Sequence, residues 1–165
     1  MLVGQKITAC LWFDDQAEAA VTFYTGIFRN SKVVSVSRYG EAGHEIHGKP
    51  AGTVLTVAFE LEGQVFTALN GGPVFKFSEA ISFQVDCETQ EEVDYYWEKL
   101  SEGGDPKAQQ CGWLKDKYGV SWQVVPRVLV EMMSDPDWEK SGRAMEAMLQ
   151  MKKIDIAALK RAYRG

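Results

Sequence analysis

Hydrophobic residues in the first half of this chain follow two different periods, which predict four strands and one helix. Apolar runs rich in valine and aromatic residues are typical of strands, and they occur at 7–13, 32–39, 53–61 and 65–69. Between the first two runs, apolar residues recur every three or four positions over 17–28, the spacing of an amphipathic helix. The predicted order is therefore strand, helix, strand, strand, strand, with a polar, glycine-bearing loop before the third strand.

The second half of the chain begins with the same pattern. Residues 80–85 have the composition of a strand, and residues 89–100 carry apolar side chains at helical spacing before a pair of glycines stops the helix. Shorter strand candidates follow at 107–108, 112–115 and 120–125. The element order of the first half is thus predicted a second time.

A direct repeat in the sequence supports this duplication. The segment FDDQAEAAVTFY, residues 13–24, aligns without a gap on VDCETQEEVDYY, residues 85–96. Both segments have an aspartate in the second position and end on a pair of aromatic residues. Self-similarity at a fixed spacing is the mark of a repeated structural unit. We therefore predict two βαβββ modules.

The remainder of the chain, 128–165, is predicted to be helical. A short helix over 128–133 is ended by an Asp-Pro pair, and helices over 138–151 and 156–163 follow it. The methionines of the middle helix are interpreted as a packing surface, either on the second module or across a dimer.

Short polar side chains predict where two of the helices begin. Asp14 or Asp15 is the expected N-cap of the first helix, and Asp155 is the expected N-cap of the last. Such residues accept hydrogen bonds from backbone N–H groups that the helix itself leaves without partners.

Composition excludes several classes of partner. The 165 residues are 45% hydrophobic and 25% charged, with a net charge of −5, which indicates a folded domain without the basic surface that nucleic acid requires. Apolar stretches fall short of the ~20 residues of a membrane span, and we expect no membrane association. Three widely spaced cysteines, Cys10, Cys87 and Cys111, are interpreted as reduced thiols of a cytoplasmic protein.

Three long segments carry a resemblance to a known family. They are LNGGPVFKFSEAISFQV at 69–85, CGWLKDKYGVSWQVVPR at 111–127 and AMLQMKKIDIAALKRAY at 147–163. The chain resembles the PhnB-like branch of the vicinal-oxygen-chelate superfamily, to which the glyoxalases belong. Members of this branch often carry the label 3-demethylubiquinone-9 3-methyltransferase.

The resemblance implies an α+β fold, in which two βαβββ modules form a U-shaped mixed sheet around a cavity. It also implies that the protein is a homodimer. We expect a single domain with module one at 1–72, module two at 78–127 and a helical extension at 128–165.

The resemblance further implies where a metal would be held, because metal-dependent relatives draw His, Glu or Gln ligands from the first and last strands of each module. The corresponding windows here are 8–10, 66–70, 80–82 and 121–125, and none contains a histidine or a carboxylate. Divalent ions need several converging donors of that kind. We therefore expect neither a metal nor another cofactor.

The two histidines of the chain, His44 and His47, lie in the polar loop outside those windows. Glu41 or Glu45 could complete a metal site with them, but a flexible glycine-flanked loop is a poor scaffold. The preferred interpretation is a solvated loop over the mouth of the cavity.

The strands offer aromatic and neutral polar side chains, which is the usual composition of a small-molecule site. The predicted pocket-lining residues are Trp12, Asn70, Ser82, Gln84, Cys111, Trp113, Trp122 and Gln123. Because strand residues alternate between faces, about half of them are expected to point inward. Trp113 and Trp122 are the preferred aromatic contacts, and Gln123 is expected to supply directional hydrogen bonds.

Three functional hypotheses follow. The first is a metal-free protein that binds a small aromatic or amphipathic molecule, and the second is a lyase, isomerase or dioxygenase with an unrecognised site. The third is methyl transfer, but neither Gly71–Gly72 nor Gly103–Gly104 lies in a strand-to-helix turn of the kind that holds a nucleotide cofactor. We expect no catalytic residue to be identifiable from the sequence.

Overall fold

The computed structural model describes residues 4–165, which form seven strands and six helices. Contacts divide the chain into two compact units between Lys76 and Phe77. The elements of the first unit are β1 (Ala9–Phe13), α1 (Ala17–Ile27), β2 (Ser31–Arg38), α2 (His44–His47), β3 (Val54–Leu61) and β4 (Gln64–Asn70). Those of the second are β5 (Ser82–Cys87), α3 (Gln90–Ser101), β6 (Trp113–Lys115), β7 (Ser121–Pro126), α4 (Arg127–Met133), α5 (Trp138–Leu149) and α6 (Ile156–Arg164).

The first unit is a four-stranded mixed sheet in the order β1-β4-β3-β2 with α1 packed on one face. β1 and β4 are parallel, and the other pairs are antiparallel. Every second side chain of these strands points toward α1, and these side chains form the core. Within it the Tyr24 ring stacks on the Phe59 ring, which in turn stacks on the Phe66 ring. The predicted strands and helix all occur, but the loop at 40–52 contains the short helix α2, which the sequence analysis missed.

The predicted N-cap of α1 is wrong, because neither aspartate occupies that position. Gln16 is the N-cap residue, and the backbone N–H of Ala17 donates to Oδ1 of Asn70 at 2.8 Å. The acceptor thus comes from the end of β4, 53 residues away along the chain. Asp155, by contrast, is the N-cap of α6 as predicted, with its carboxylate accepting from Ala158 N–H.

The second unit contains a three-stranded sheet in the order β5-β7-β6 with α3 packed on it. Its first and last strands, β5 and β7, are parallel, as β1 and β4 are, and a helix follows the first strand in both units. The strand predicted at 107–108 is wrong, because Pro106–Ala108 is a 3₁₀ turn capped by Asp105. Proline at the start of the segment cannot donate to a ladder and suits a helical turn instead. The second sheet described here therefore has one strand fewer than the first.

The three C-terminal helices pack around their own apolar cluster, and α4 also contacts β7 of the second sheet. Leu129, Met132, Ala144, Ile154 and Leu159 form the centre of that cluster. Backbone N–H groups of residues 111 and 112 donate to carbonyls of residues 151 and 152, which joins the turn before β6 to the tail. Within residues 4–165, no helix combines the length and the apolar character that crossing a bilayer requires.

Candidate functional site

One face of the second sheet brings four of the predicted site residues together. Val85 and Val124 are buried on the side where α3 packs, so their strand neighbours project from the opposite side. Gln84 and Gln123 are paired in register on β5 and β7, and Trp113 of β6 lies directly opposite Gln123. The next row contains Ser82, Ser121 and Lys115. We call the surface formed by Ser82, Gln84, Trp113, Ser121 and Gln123 the amide face.

A chain of side-chain hydrogen bonds orders the amide face. Nε2 of Gln123 donates to Oγ of Ser82 at 2.8 Å, and Nε2 of Gln84 approaches Oε1 of Gln123 at 3.4 Å. These contacts use one N–H of each amide, and a glutamine amide has a second N–H and spare acceptor capacity. The two amides are therefore held in place while retaining groups that a ligand can bind.

Ser121 adds a second observation at the same place. The residue is 2% exposed, and its Oγ has no hydrogen-bond partner among the atoms of residues 4–165. Leaving a buried hydroxyl without a partner costs about 1–3 kcal/mol. The sequence analysis omitted Ser121 from the predicted site, although its position two residues before Gln123 places both on one face of β7.

Ion pairs lie at both ends of the amide face. At one end Lys115 Nζ contacts the carboxylate of Glu79, whose pKa is lowered chiefly by that hydrogen bond. At the other end the Arg127 guanidinium contacts Asp86 and Glu88, each at 2.7 Å. The charges at the two ends are thus paired, and the middle of the face is neutral.

The sequence analysis predicted that Trp122 lines the pocket, but the structure places it on the face of β7 opposite to that of Gln123. Trp122 is on the α3 side of β7, 3% exposed, with its ring 5.4 Å from that of Phe83. Its indole Nε1 donates to Oδ2 of Asp116 at 2.9 Å. The buried Asp116 carboxylate also accepts from the N–H groups of Tyr118 and Val120, so this tryptophan stabilises the turn between β6 and β7.

Two further predicted site residues, Asn70 and Cys111, form hydrogen bonds that stabilise the fold. Asn70 is buried, and besides accepting from Ala17 its Nδ2 donates to Val54 O at 3.1 Å. Cys111 lies in a turn with a positive φ of 51° rather than on a strand, and its N–H donates to Met151 O. The amide of Asn70 is committed to backbone groups, and Cys111 belongs to the contact with the tail.

Trp12 belongs to the first unit and is held by the segment that follows β4. Its Nε1 donates to Gly72 O at 2.9 Å, and the Phe75 ring meets it edge-on at 4.8 Å. A Cβ at Gly71 would lie 2.3 Å from the indole, so glycine is required there for the ring to fit. A Cβ at Gly104 would similarly lie 2.2 Å from Lys115 O. Each of the pairs Gly71–Gly72 and Gly103–Gly104 therefore contains one glycine that is needed because a side chain there would clash within the protein.

The side chains in the windows predicted for metal ligands are poor donors for a divalent ion. Within the predicted windows, the residues of the first and last strands that are paired in register on the face away from the helix are Cys10 with Thr67 in the first unit and Ser82 with Ser121 in the second. Burial raises the pKa of the Cys10 thiol, which disfavours the thiolate that binds metal. Across residues 4–165, no three His, Cys, Asp or Glu side chains converge as a metal site would require.

The imidazole of His47 in α2 forms its hydrogen bonds within the protein. His47 Nδ1 accepts from the N–H of Lys49 at 2.9 Å, which leaves Nε2 as the donor to Ala42 O at 3.1 Å. The same ring packs at 4.6 Å from Tyr39. Because both nitrogens have backbone partners, His47 shapes this loop, and His44 is exposed beside it.

Solved structures of distantly related proteins share this α+β architecture. A Pseudomonas aeruginosa protein is 16% identical with a TM-score of 0.56, over 74% of this chain and 98% of its own. The fosfomycin resistance protein FosX of Mesorhizobium loti is 14% identical with a TM-score of 0.50, over 75% and 91%. At these identities the likeness concerns the fold, and it confirms the predicted fold class.

Sequence comparison identifies the family within that class. The model of the family described as 3-demethylubiquinone-9 3-methyltransferase matches residues 5–125. The PhnB protein of Bacillus cereus is 42% identical, over 74% of this chain and 99% of its own, with a TM-score of 0.62. The chain therefore belongs to this PhnB-like family, as the sequence resemblance indicated. Comparison with curated proteins returned no match.

Proposed function

We propose that this protein binds a small, neutral, partly aromatic molecule on the amide face without the help of a metal. The observation that carries the proposal is the ordered pair Gln84–Gln123 beside the buried, unpaired hydroxyl of Ser121. Amides and hydroxyls in this arrangement suit a ligand with both a carbonyl and an N–H or O–H group, such as a carboxamide or a phenol. Trp113, in register with Gln123, supplies a flat surface for an aromatic ring.

Two features favour neutral binding over the other candidate activities. The charges nearest the amide face are paired with each other, so the face has no unpaired cation to attract an anionic ligand. Gly71 and Gly104 are required by contacts with Trp12 and Lys115, respectively, which accounts for these glycines without a nucleotide cofactor. Membership of a family described as a methyltransferase does not by itself establish methyl transfer, because function depends on the residues of the site and not on the fold.

Replacing Gln123 by leucine is expected to weaken ligand binding by about 1–3 kcal/mol, the cost of leaving a buried polar partner unsatisfied. Benzamide, salicylamide and related neutral aromatic amides and phenols are the probes, and quenching of tryptophan fluorescence is the measurement.

Trp113→Phe should remove most of the quenching, because Trp113 is the tryptophan on this face.

A matched control for this experiment is Gln64→Leu, which changes an exposed glutamine at the start of β4 in the first unit. It should leave the affinity unchanged. Binding that is equally weakened by Gln64→Leu, or unaffected by Gln123→Leu, would contradict the assignment of the ligand to the amide face.

Added Zn²⁺, Ni²⁺, Mn²⁺ or Fe²⁺ is expected to leave the melting temperature unchanged, because Cys10, Thr67, Ser82 and Ser121 are poor donors for these ions. A ligand that binds the native state at 100 times its Kd stabilises it by about 2.7 kcal/mol, so tight metal binding would be visible in thermal denaturation. Protein purified without a metal-affinity tag should be used, with elemental analysis in parallel. A rise of several degrees with stoichiometric metal would refute metal-free binding.

A further inference from the structure

Lys115 shares a row of the second sheet with the unpaired hydroxyl of Ser121. The two residues are paired in register across β6 and β7, and Ser82 continues the row on β5. Leu114, the neighbour of Lys115 on β6, is buried and is paired with Trp122 on the α3 side. The Lys115 side chain therefore projects on the side of the amide face. Directly opposite residues in a sheet have Cβ atoms about 5 Å apart, so this side chain starts beside Ser121.

The charge of Lys115 is within range of a ligand on the amide face. Gln123 and Trp113 form the next row, and residues two positions apart on a strand are separated by about 6.7 Å. Charges are screened over about 10 Å at 0.1 M salt, so a ligand held by Gln123 would experience the charge of an unpaired Lys115. The group that neutralises this lysine therefore decides how the face treats an anion.

Glu79 is the residue that neutralises Lys115. Its carboxylate contacts Nζ of Lys115, and that hydrogen bond is the largest cause of the lowered pKa of Glu79. The carboxylate is therefore ionised at neutral pH, and the pair has no net charge. Glu79 lies in the segment before β5, and its side chain is 63% exposed, whereas that of Lys115 is 30% exposed. The lysine thus belongs to the sheet, and the glutamate reaches it from the segment that precedes β5.

Packing fixes the backbone of Lys115 independently of Glu79. Leu114 before it and Asp116 after it are both buried. Gly104 lies so close to the carbonyl of Lys115 that a Cβ there would be 2.2 Å from the oxygen. Exposed ion pairs contribute little to stability. Replacing Glu79 should therefore leave the fold intact and leave an unpaired cation at the end of the amide face.

Carboxamides and carboxylates are the two kinds of ligand that this ion pair distinguishes. The two groups have nearly the same size and shape, and both accept hydrogen bonds from the remaining N–H groups of Gln84 and Gln123. They differ in charge, and the carboxylate has no N–H to donate to a glutamine oxygen. A carboxylate also loses more hydration when it binds, and a neutralised Lys115 offers no net attraction to offset that loss.

We propose that Glu79 determines the selectivity of the amide face, because by neutralising Lys115 it makes the face prefer carboxamides to carboxylates of the same shape. This role rests on the proposed function, ligand binding at the amide face. It adds a residue outside that face which selects the class of ligand.

Paired titrations with benzamide and benzoate test this role, with quenching of tryptophan fluorescence as the measurement. Wild-type protein should bind benzamide about 10-fold more tightly than benzoate. Glu79→Gln should lower the Kd of benzoate about 10-fold, an effect of the size expected for charges about 7 Å apart near a protein surface, and should hardly change the Kd of benzamide. High salt should abolish the gain in benzoate affinity, because it screens the attraction to Lys115.

Glu88→Gln is the matched control, because the Glu88 side chain is equally exposed, at 63%, and its replacement changes the net charge by the same amount. In this variant Arg127 keeps Asp86 as a partner, so no unpaired cation is created at that end of the face. The affinities for both probes should stay as in the wild type. An equal gain in benzoate affinity for Glu88→Gln would show a general effect of net charge and would contradict a role specific to Glu79.

Combining Glu79→Gln with Lys115→Met removes the cation and retains an apolar side chain, and it should return the affinity for benzoate to the wild-type value. A gain that persists in the double variant overturns the proposal. So does wild-type protein that binds both probes equally well, or Glu79→Gln protein with unchanged selectivity. These three results leave the proposed function standing as long as benzamide binding depends on Gln123. Wild-type protein that binds neither probe contradicts both proposals.

Discussion

Replacing Asp116 by alanine is expected to lower the free energy of unfolding by about 4 kcal/mol, through the loss of charge-assisted hydrogen bonds worth about 1.5–3 kcal/mol each. Asp116 is 3% exposed, and its carboxylate accepts from Tyr118 N–H, Val120 N–H and the Trp122 indole N–H at 2.8, 3.1 and 2.9 Å. The variant no longer has to desolvate a buried charge. The expected loss of stability is therefore smaller than the summed free energies of the three hydrogen bonds. Urea denaturation measures the change, and a decrease in Tm of roughly 10 °C should accompany it.

Asp105→Ala is the matched control for Asp116. Asp105 makes the same contact to the N–H two residues ahead, at 2.9 Å to Lys107, but it is exposed. Its replacement should cost under about 1 kcal/mol, within the range of a helix-cap deletion. Equal losses for the two variants would show that burial of Asp116 and its bond to Trp122 contribute nothing.

Replacing Asn70 by leucine is expected to cost about 3 kcal/mol, because two buried backbone groups each lose a partner worth about 1–3 kcal/mol when left unsatisfied. Asn70 is 6% exposed, and its amide joins the N–H of Ala17 to the carbonyl of Val54. Leucine has a similar volume, so the loss of hydrogen bonds rather than a cavity dominates the change. Chemical denaturation gives the free energy of unfolding.

The chain contains one other asparagine, Asn30, which is exposed immediately before β2 and serves as the control. Asn30→Leu should change stability by less than about 0.5 kcal/mol, as is usual for surface substitutions. Hydrogen exchange adds a local test, since Asn70→Leu should lower the protection of the first turn of α1 selectively. Unchanged protection there would contradict the role of Asn70 as its cap.

The sequence by itself predicted the order of the elements because the two periods of apolar residues are local properties. Strand alternation and helical spacing need no knowledge of distant contacts, and the aspartate before α6 caps the residues next to it. The family was also recognisable from continuous segments. The strand expected at 107–108 failed for a local reason, since the proline of Pro106–Ala108 favours a helical turn.

The tertiary structure decided which strand residues share a face and which polar groups they meet. Trp113 and Trp122 are both strand tryptophans in the same part of the sequence, yet one is in register with Gln123 and the other is buried against Phe83 beside Asp116. The alternation rule says that adjacent residues point opposite ways, but not which side the helix covers.

Long-range partners were equally inaccessible from the sequence. The polar amide of Asn70 made it a predicted ligand-binding residue. Only the parallel pairing of β1 with β4 brings this amide to the N-terminus of α1, 53 residues away along the chain. The α1 N-terminus is satisfied from β4 rather than by the aspartates beside it, because a buried N–H bonds to whichever acceptor the packed fold holds within reach.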